Sequence, residues 1–131
     1  MGILEGENIR YRATVGSMTP STGEVPKERA LCAVSLQTGQ VVRCGDVDSS
    51  VAVDKAECGR RGIQAMIAVP AFHDGAVAGA LELYYAGKQA FTEQDVHTAQ
   101  LVAGLLTEAL AREEDVTRRK SLAGERAQKA P

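Results

Sequence analysis

Ile63-Gln64-Ala65-Met66-Ile67-Ala68-Val69-Pro70-Ala71-Phe72, then His73-Asp74-Gly75, then Ala76-Val77-Ala78-Gly79-Ala80-Leu81-Glu82-Leu83-Tyr84-Tyr85: this stretch decides the fold. Two apolar runs of strand length flank an Asp-Gly pair, which readily adopts the left-handed backbone angles of a tight hairpin turn. The spacing therefore predicts antiparallel strands over 63–71 and 76–85. In the second strand Val77, Gly79, Leu81 and Leu83 alternate with Ala78, Ala80, Glu82 and Tyr84, so the two sets face opposite sides of the sheet. The bulky set calls for a covering helix. The other joins small side chains to a carboxylate and a phenol, the makings of a cavity floor or of a solvent-facing side.

The covering helix follows directly. In Phe91-Thr92-Glu93-Gln94-Asp95-Val96, Thr92 can cap the amide of Asp95, Asp95 can return the bond, and Phe91 can staple onto Val96. The stripe Val96, Ala99, Val102, Ala103, Leu106 and Leu110 repeats at three and four residues, enough to pack on a sheet. Val77, Leu81 and Leu83 are expected to meet Val102 and Leu106. Beyond Arg112 the stripe thins to Val116 and Leu122, and the tail is expected to fray from about Ala123. A helix from Thr92 to Leu122 spans roughly 45 Å, more than a sheet this size needs. Leu101, Leu105, Leu110 and Val116 would then lie exposed, which predicts a homodimer through the helix over 92–122.

Upstream, Ile9 to Val15 alternates as a half-buried strand does, Gly16 to Pro26 is a loop, and Lys27 to Gln37 has helical spacing closed by Gly39. A strand is expected over 40–44. The polar segment from Gly45 to Glu57 reads as a long loop or a short helix over a cleft.

The 131 residues, 44% hydrophobic and 24% charged, suit one domain with a real core. A net charge of -2 with both signs scattered excludes a basic face for nucleic acid. No apolar run reaches the roughly 20 residues of a membrane helix, and no leader is apparent, so the chain reads as cytoplasmic. Cys32, Cys44 and Cys58 are spaced 12 and 14 residues apart and match no metal or disulfide framework. Asp46, Asp48 and Asp54 lack the glycine and closing glutamate of a calcium loop. His73 in a turn and His97 beside the apolar stripe are poor haem ligands.

Five blocks, Leu31 to Gln40, Cys44 to Asp48, Gly62 to Pro70, Asp74 to Leu83 and Phe91 to Asp95, together resemble a GAF domain in order and spacing. The resemblance covers about Ile3 to Arg112. It implies an α+β fold with a central antiparallel sheet, helices on one face and a loop-covered ligand cleft on the other. It divides the chain into a domain over 1–112, short at its N-terminus whether excised or naturally so, and a helix end or linker over 113–131.

The resemblance further implies a small-molecule-binding sensory module without catalytic activity, acting through its last helix as in bacterial signalling proteins that carry histidine kinase or diguanylate cyclase outputs. Cys44 and Cys58 match the cysteines such domains carry near the Asp loop and before an Arg-rich turn. The implied ligand-binding residues are Cys44, Asp46, Cys58, Met66, Glu82 and Tyr84. Replacing Glu82 with Leu is expected to alter binding and leave the fold intact. The Asn-Lys-Phe-Asp-Glu signature of cyclic-nucleotide-binding members is absent and Cys58 precedes Gly59 rather than His, so cyclic nucleotide and bilin are disfavoured along with haem, and no metal is implied.

A branch of the same family reduces free methionine-R-sulfoxide with pocket cysteines. The segment around Cys32 resembles it, with Cys58 near its second cysteine position. Arg60 and Arg61 could lower the pKa of Cys58, and Cys32 could resolve it. A third cysteine position holds Thr22, and of the branch's paired carboxylates Glu82 is present while the other is Tyr84. A structural dimerisation unit whose cleft is filled by its own side chains is the third alternative.

Overall fold

The computed structural model describes residues 1–5, 7–11, 14–16, 24–50 and 53–129. Arg12 and Ala13 of the expected first strand, Thr22 and Val51 lie outside them, as does the side chain of Leu122; Val15, expected on that strand's buried face, lies outside any strand and is 96% exposed.

The hairpin forms around the turn that Asp74 and Gly75 were expected to make. Both have positive φ, 53° and 80°, and His73 pairs with Ala76 across them. The strands are β5 (Ala65–His73) and β6 (Ala76–Tyr85). Beyond β5 lies β4 (Val42–Cys44), and β6 joins β1 (Gly2–Glu5), β2 (Asn8–Tyr11) and β3 (Glu24–Pro26). The six-stranded order is β3-β2-β1-β6-β5-β4, antiparallel throughout. The meander β1-β2-β3 touches the hairpin at the pair Gly2–Ala80. A side chain on Gly2 would meet Cys32 Sγ and Ile9 Cγ2 at 2.9 Å, so the missing side chain leaves room for Cys32 and Ile9 to pack over β1.

A bulge changes one face assignment. Ala71 pairs with Gly79 but Phe72 pairs with Val77, so Ala78 has no partner and the alternation flips there. Leu81 and Leu83 face the last helix as expected and pack, like Leu106, against the core formed with Val96, Ala99 and Ala103. Val77 turns the other way, toward Phe72 and Gly39; the expected contact of Val77 with that helix is not made.

The last helix, α3 (Glu93–Lys129), packs on β5 and β6. Its start is the expected capping box: Asp95 N donates to Thr92 Oγ1 at 3.1 Å and Thr92 N to Asp95 Oδ2 at 3.0 Å. Phe91 and Val96 join the same cluster. Val96, Ala99, Ala103 and Thr107 are buried, whereas Val102 is 39% exposed, because the seam follows the residues at 96, 99, 103, 106 and 110 and Val102 falls beside it. α3 continues past Ala123 to Lys129, longer than the thinning stripe predicted. Arg43 Nε and Nη2 pair with both oxygens of Glu93, at 2.9 and 2.8 Å, tying β4 to its first turn.

The opposite face carries α1 (Leu31–Thr38) and α2 (Lys55–Arg61). The helical stretch expected from Lys27 begins as a 3-10 turn at Lys27–Arg29, and α1 starts only at Leu31. Gly39 ends α1 at φ 69°, as its position predicted. Asp54 caps α2 by accepting from Glu57 N at 3.1 Å. Two cores result. Ile67, Val69 and Ala71 of β5 pack with α3, while Met66 and Ala68 pack with Ile9, Leu31, Cys32 and Cys58. Thus α3 covers one face alone, and α1 and α2 roof the other.

Candidate functional site

Between that roof and the sheet lies a cleft lined by Tyr11, Ala30, Leu31, Val53, Asp54, Glu57, Cys58, Arg61, Ile63, Met66 and Glu82. Met66 and Glu82 rise from adjacent strands because they share the even-numbered face of the hairpin. Tyr11 arrives from β2, and α2 supplies the charged wall. The free volume is about 30 Å³, room for a water or two. On the outer side of α2 an open groove is lined by Glu28, Ser50, Lys55, Ala56 and Arg60. Val53 and Asp54 line both spaces, so the start of α2 is the wall between them.

At the floor, Glu82 accepts three hydrogen bonds. Tyr11 Oη donates to Oε1 at 2.6 Å, Tyr84 Oη to Oε1 at 2.9 Å, and Cys32 N to Oε2 at 3.2 Å. Ala30, the residue preceding α1, offers no side-chain cap. Glu82 therefore serves as acceptor for the first turn of α1, where the helix dipole favours an anion. The Arg61 guanidinium stacks over the Tyr84 ring at 4.4 Å from its centre, a cation–π contact.

Burial and Glu82 set the ionisation of the surrounding groups. Burial first, then the carboxylate, raises the phenols of Tyr11 and Tyr84 above their ordinary range. The Cys32 thiol is pushed up for the same two reasons. Burial raises Cys58 as well, with Arg61 pulling against it. Both thiols are thereby biased to the protonated form.

Of the residues the sequence assigned to a ligand, Cys58, Met66 and Glu82 line the cleft. Tyr84 reaches it through Glu82 and Arg61. Cys44 is buried in the adjoining core. Asp46 stands elsewhere: it caps a 3-10 turn at Val47–Ser49 through Asp48 N and faces Lys88 at 3.6 Å. Its role there is local, because a short aspartate two residues before an amide bonds that amide first. Cys32 presents its amide to Glu82 while its sulfur lies by Gly2 and Ile9. Among the described residues no three of His, Cys, Asp and Glu gather as a metal site requires. No helix among them is long and apolar enough to cross a membrane.

Sequence reasoning passed over Tyr11, Asp54 and Glu57 as cleft residues and considered Arg61 only as a neighbour of Cys58. A signal for α2 was present: Asp54 and Glu57 have capping-box spacing, and Gly62 follows where a helix would end. Nothing local marks Tyr11, whose partner Glu82 is 71 positions away. Glu82→Leu, expected to leave the fold intact, would also remove the acceptor of three donors, a cost in stability.

A family model described as GAF domain matches residues 5–111. No curated protein sequence matches the chain. Among solved structures, the type II free methionine-R-sulfoxide reductase of Thermoplasma acidophilum is similar, with a TM-score of 0.70 and 22% identity over 82% of this chain and 73% of that one. The free methionine-R-sulfoxide reductase of Neisseria meningitidis, in complex with its substrate, gives 0.64 and 22% over 91% and 67%. The GAF domain of an Acinetobacter phosphoenolpyruvate-protein phosphotransferase gives 0.66 and 14% over 89% and 72%. At these identities the likeness is one of fold.

Proposed function

Because this chain belongs to the GAF domain family, we propose that it is a non-catalytic regulatory module that admits a small molecule to the cleft and passes the change to α3. The observation that carries the reading is the end of β6. Tyr84 lies on the cleft side of the sheet and donates to Glu82 of the cleft floor, while the next residue, Tyr85, faces the other way and donates to Asp95 Oδ2 at 3.2 Å. Asp95 is the capping residue of α3, so two consecutive side chains connect the cleft floor to the start of the output helix. The free space is only large enough for water, so entry of a ligand requires α2 to move outward toward the groove it borders. Arg61 on one wall and Glu57, Asp54 and Glu82 around it favour a small molecule carrying both charges.

Two copies join through α3 in this reading. Leu101 and Leu105 are 73% and 70% exposed, and Val102, Leu105, Ala109 and Val116 follow one another at three, four and seven residues, a seam suited to a second helix. Three buried free cysteines suit a reducing cytoplasm.

A second reading, reduction of free methionine sulfoxide, draws on Cys58 in the cleft beside Arg61 and on the likeness to reductases. The placement of Cys32 weighs against it, since a resolving thiol must reach the reacting sulfur and Cys32 stands behind the first turn of α1. Native mass spectrometry of the purified chain tests the proposal, with a co-purifying small molecule expected and its loss on Arg61→Ala. Thiol-dependent consumption of free methionine-R-sulfoxide that disappears in Cys58→Ser would replace it with the enzymatic reading.

A further inference from the structure

We infer that Cys44 and Cys58 form a thiol pair that closes to a disulfide on oxidation by a peroxide, locking α2 onto the end of β4. The segment 63–66 holds both cysteines' elements. Ile63 N donates to Cys58 O at 2.9 Å, Gln64 O accepts from Val47 N at 3.0 Å, and Cys44 is the register partner of Met66. Cys58 and Met66 line the same cleft, and all three side chains belong to one buried cluster. The thiols are 7% and 5% exposed and both free. Cys32 lies in that cluster too, but its sulfur points to β1 and β2.

Cys58 is the attacking sulfur, because it lines the cleft while Cys44 lies in the core beside it; burial favours its protonated form, and Arg61, one turn later on the same helix, works against that burial. Its thiolate attacks one peroxide oxygen, the O–O bond breaks, and the departing hydroxide takes up a proton as water, leaving a sulfenic acid. The Cys44 sulfur displaces the hydroxyl of that acid, giving the S–S bond and a second water. Two thiols thus lose two electrons and two protons while one hydrogen peroxide becomes two waters. The bridge would tie the wall between cleft and groove to the sheet, so the oxidised chain keeps its cleft shut. Disulfide formation itself stands apart from what the cleft binds.

Hydrogen peroxide treatment of the full chain, alkylation of remaining thiols and tryptic mapping without reduction read the pairing directly. Cleavage after Arg29, Arg43, Lys55 and Arg60 places the cysteines in three peptides, 30–43, 44–55 and 56–60. The expected product joins 44–55 to 56–60, two hydrogens lighter than their sum, with 30–43 alkylated. Cys32→Ser should leave that product unchanged, and Cys44→Ser should leave a Cys58 sulfenic acid that dimedone traps. Joining of 30–43 to 56–60 overturns the inference in favour of the reductase pairing. A bridge between two chains, or sulfinic acid at Cys58 with no linked peptide in the parent chain, overturns it outright.

Discussion

Replacing Glu82 with leucine should destabilise the domain by about 2–4 kcal/mol. The substitution strips the acceptor from two phenols and one helix-terminal amide. An orphaned buried donor costs about 1–3 kcal/mol, and here the lower end applies because the site is part-buried, so the three sum to about 3–5 kcal/mol. Removing a carboxylate from a half-buried place returns about 1 kcal/mol of desolvation, far less than in a dry interior. Glu82→Gln keeps an oxygen for both phenols but sets its amide against Cys32 N, so it should cost only about 1–2 kcal/mol. Both variants remain folded if the parent has the usual stability of about 5–15 kcal/mol. Urea unfolding followed by far-ultraviolet circular dichroism ranks the three, the chain having no tryptophan. A leucine variant within about 0.5 kcal/mol of the parent, the range of an ordinary surface change, would refute the view that Glu82 anchors the roof to the floor.

Stability should hold up to about pH 9 and fall above it: the unfolded chain releases its thiol and phenol protons first, whereas burial holds Cys32, Cys58, Tyr11 and Tyr84 protonated in the fold. A urea midpoint that does not decline between about pH 8 and pH 10.5 contradicts those raised values. Asp95→Ala removes the bonds from Thr92 N and Tyr85 Oη and should cost about 1–2 kcal/mol, seen as a melting temperature lower by about 3–8 °C; no change would mean the box is idle. Leu105→Lys should convert the dimer to a monomer in sedimentation at micromolar concentration without altering the circular dichroism spectrum, and a parent that is already monomeric removes the dimer from the proposal.

The features legible in the sequence are those whose causes lie within a few residues. Asp74-Gly75 makes its turn because the left-handed backbone is a local preference, and Thr92 with Asp95 starts α3 because each reaches the other's amide three positions away. Gly39 stops α1 for the same kind of reason, and alternation along β6 separates Leu81 and Leu83 from Glu82 and Tyr84. Val77 escapes that alternation, because the extra residue at Ala78 is a property of how β6 pairs with β5. Short strands such as Gly2–Glu5 and Glu24–Pro26 carry too few side chains to declare a period, and exist because neighbours supply their hydrogen bonds. The cleft divides in the same way. A carboxylate among small residues is visible along one strand, but Tyr11 and the amide of Cys32 reach Glu82 from 71 and 50 positions away. Sequence alone thus determined the hairpin, the caps and the two-faced strand, since each is set by short-range sterics and hydrogen bonding. Only the tertiary structure decided which donors close on Glu82, which thiols share a buried cluster and how little room the cleft retains, because those depend on distant segments meeting.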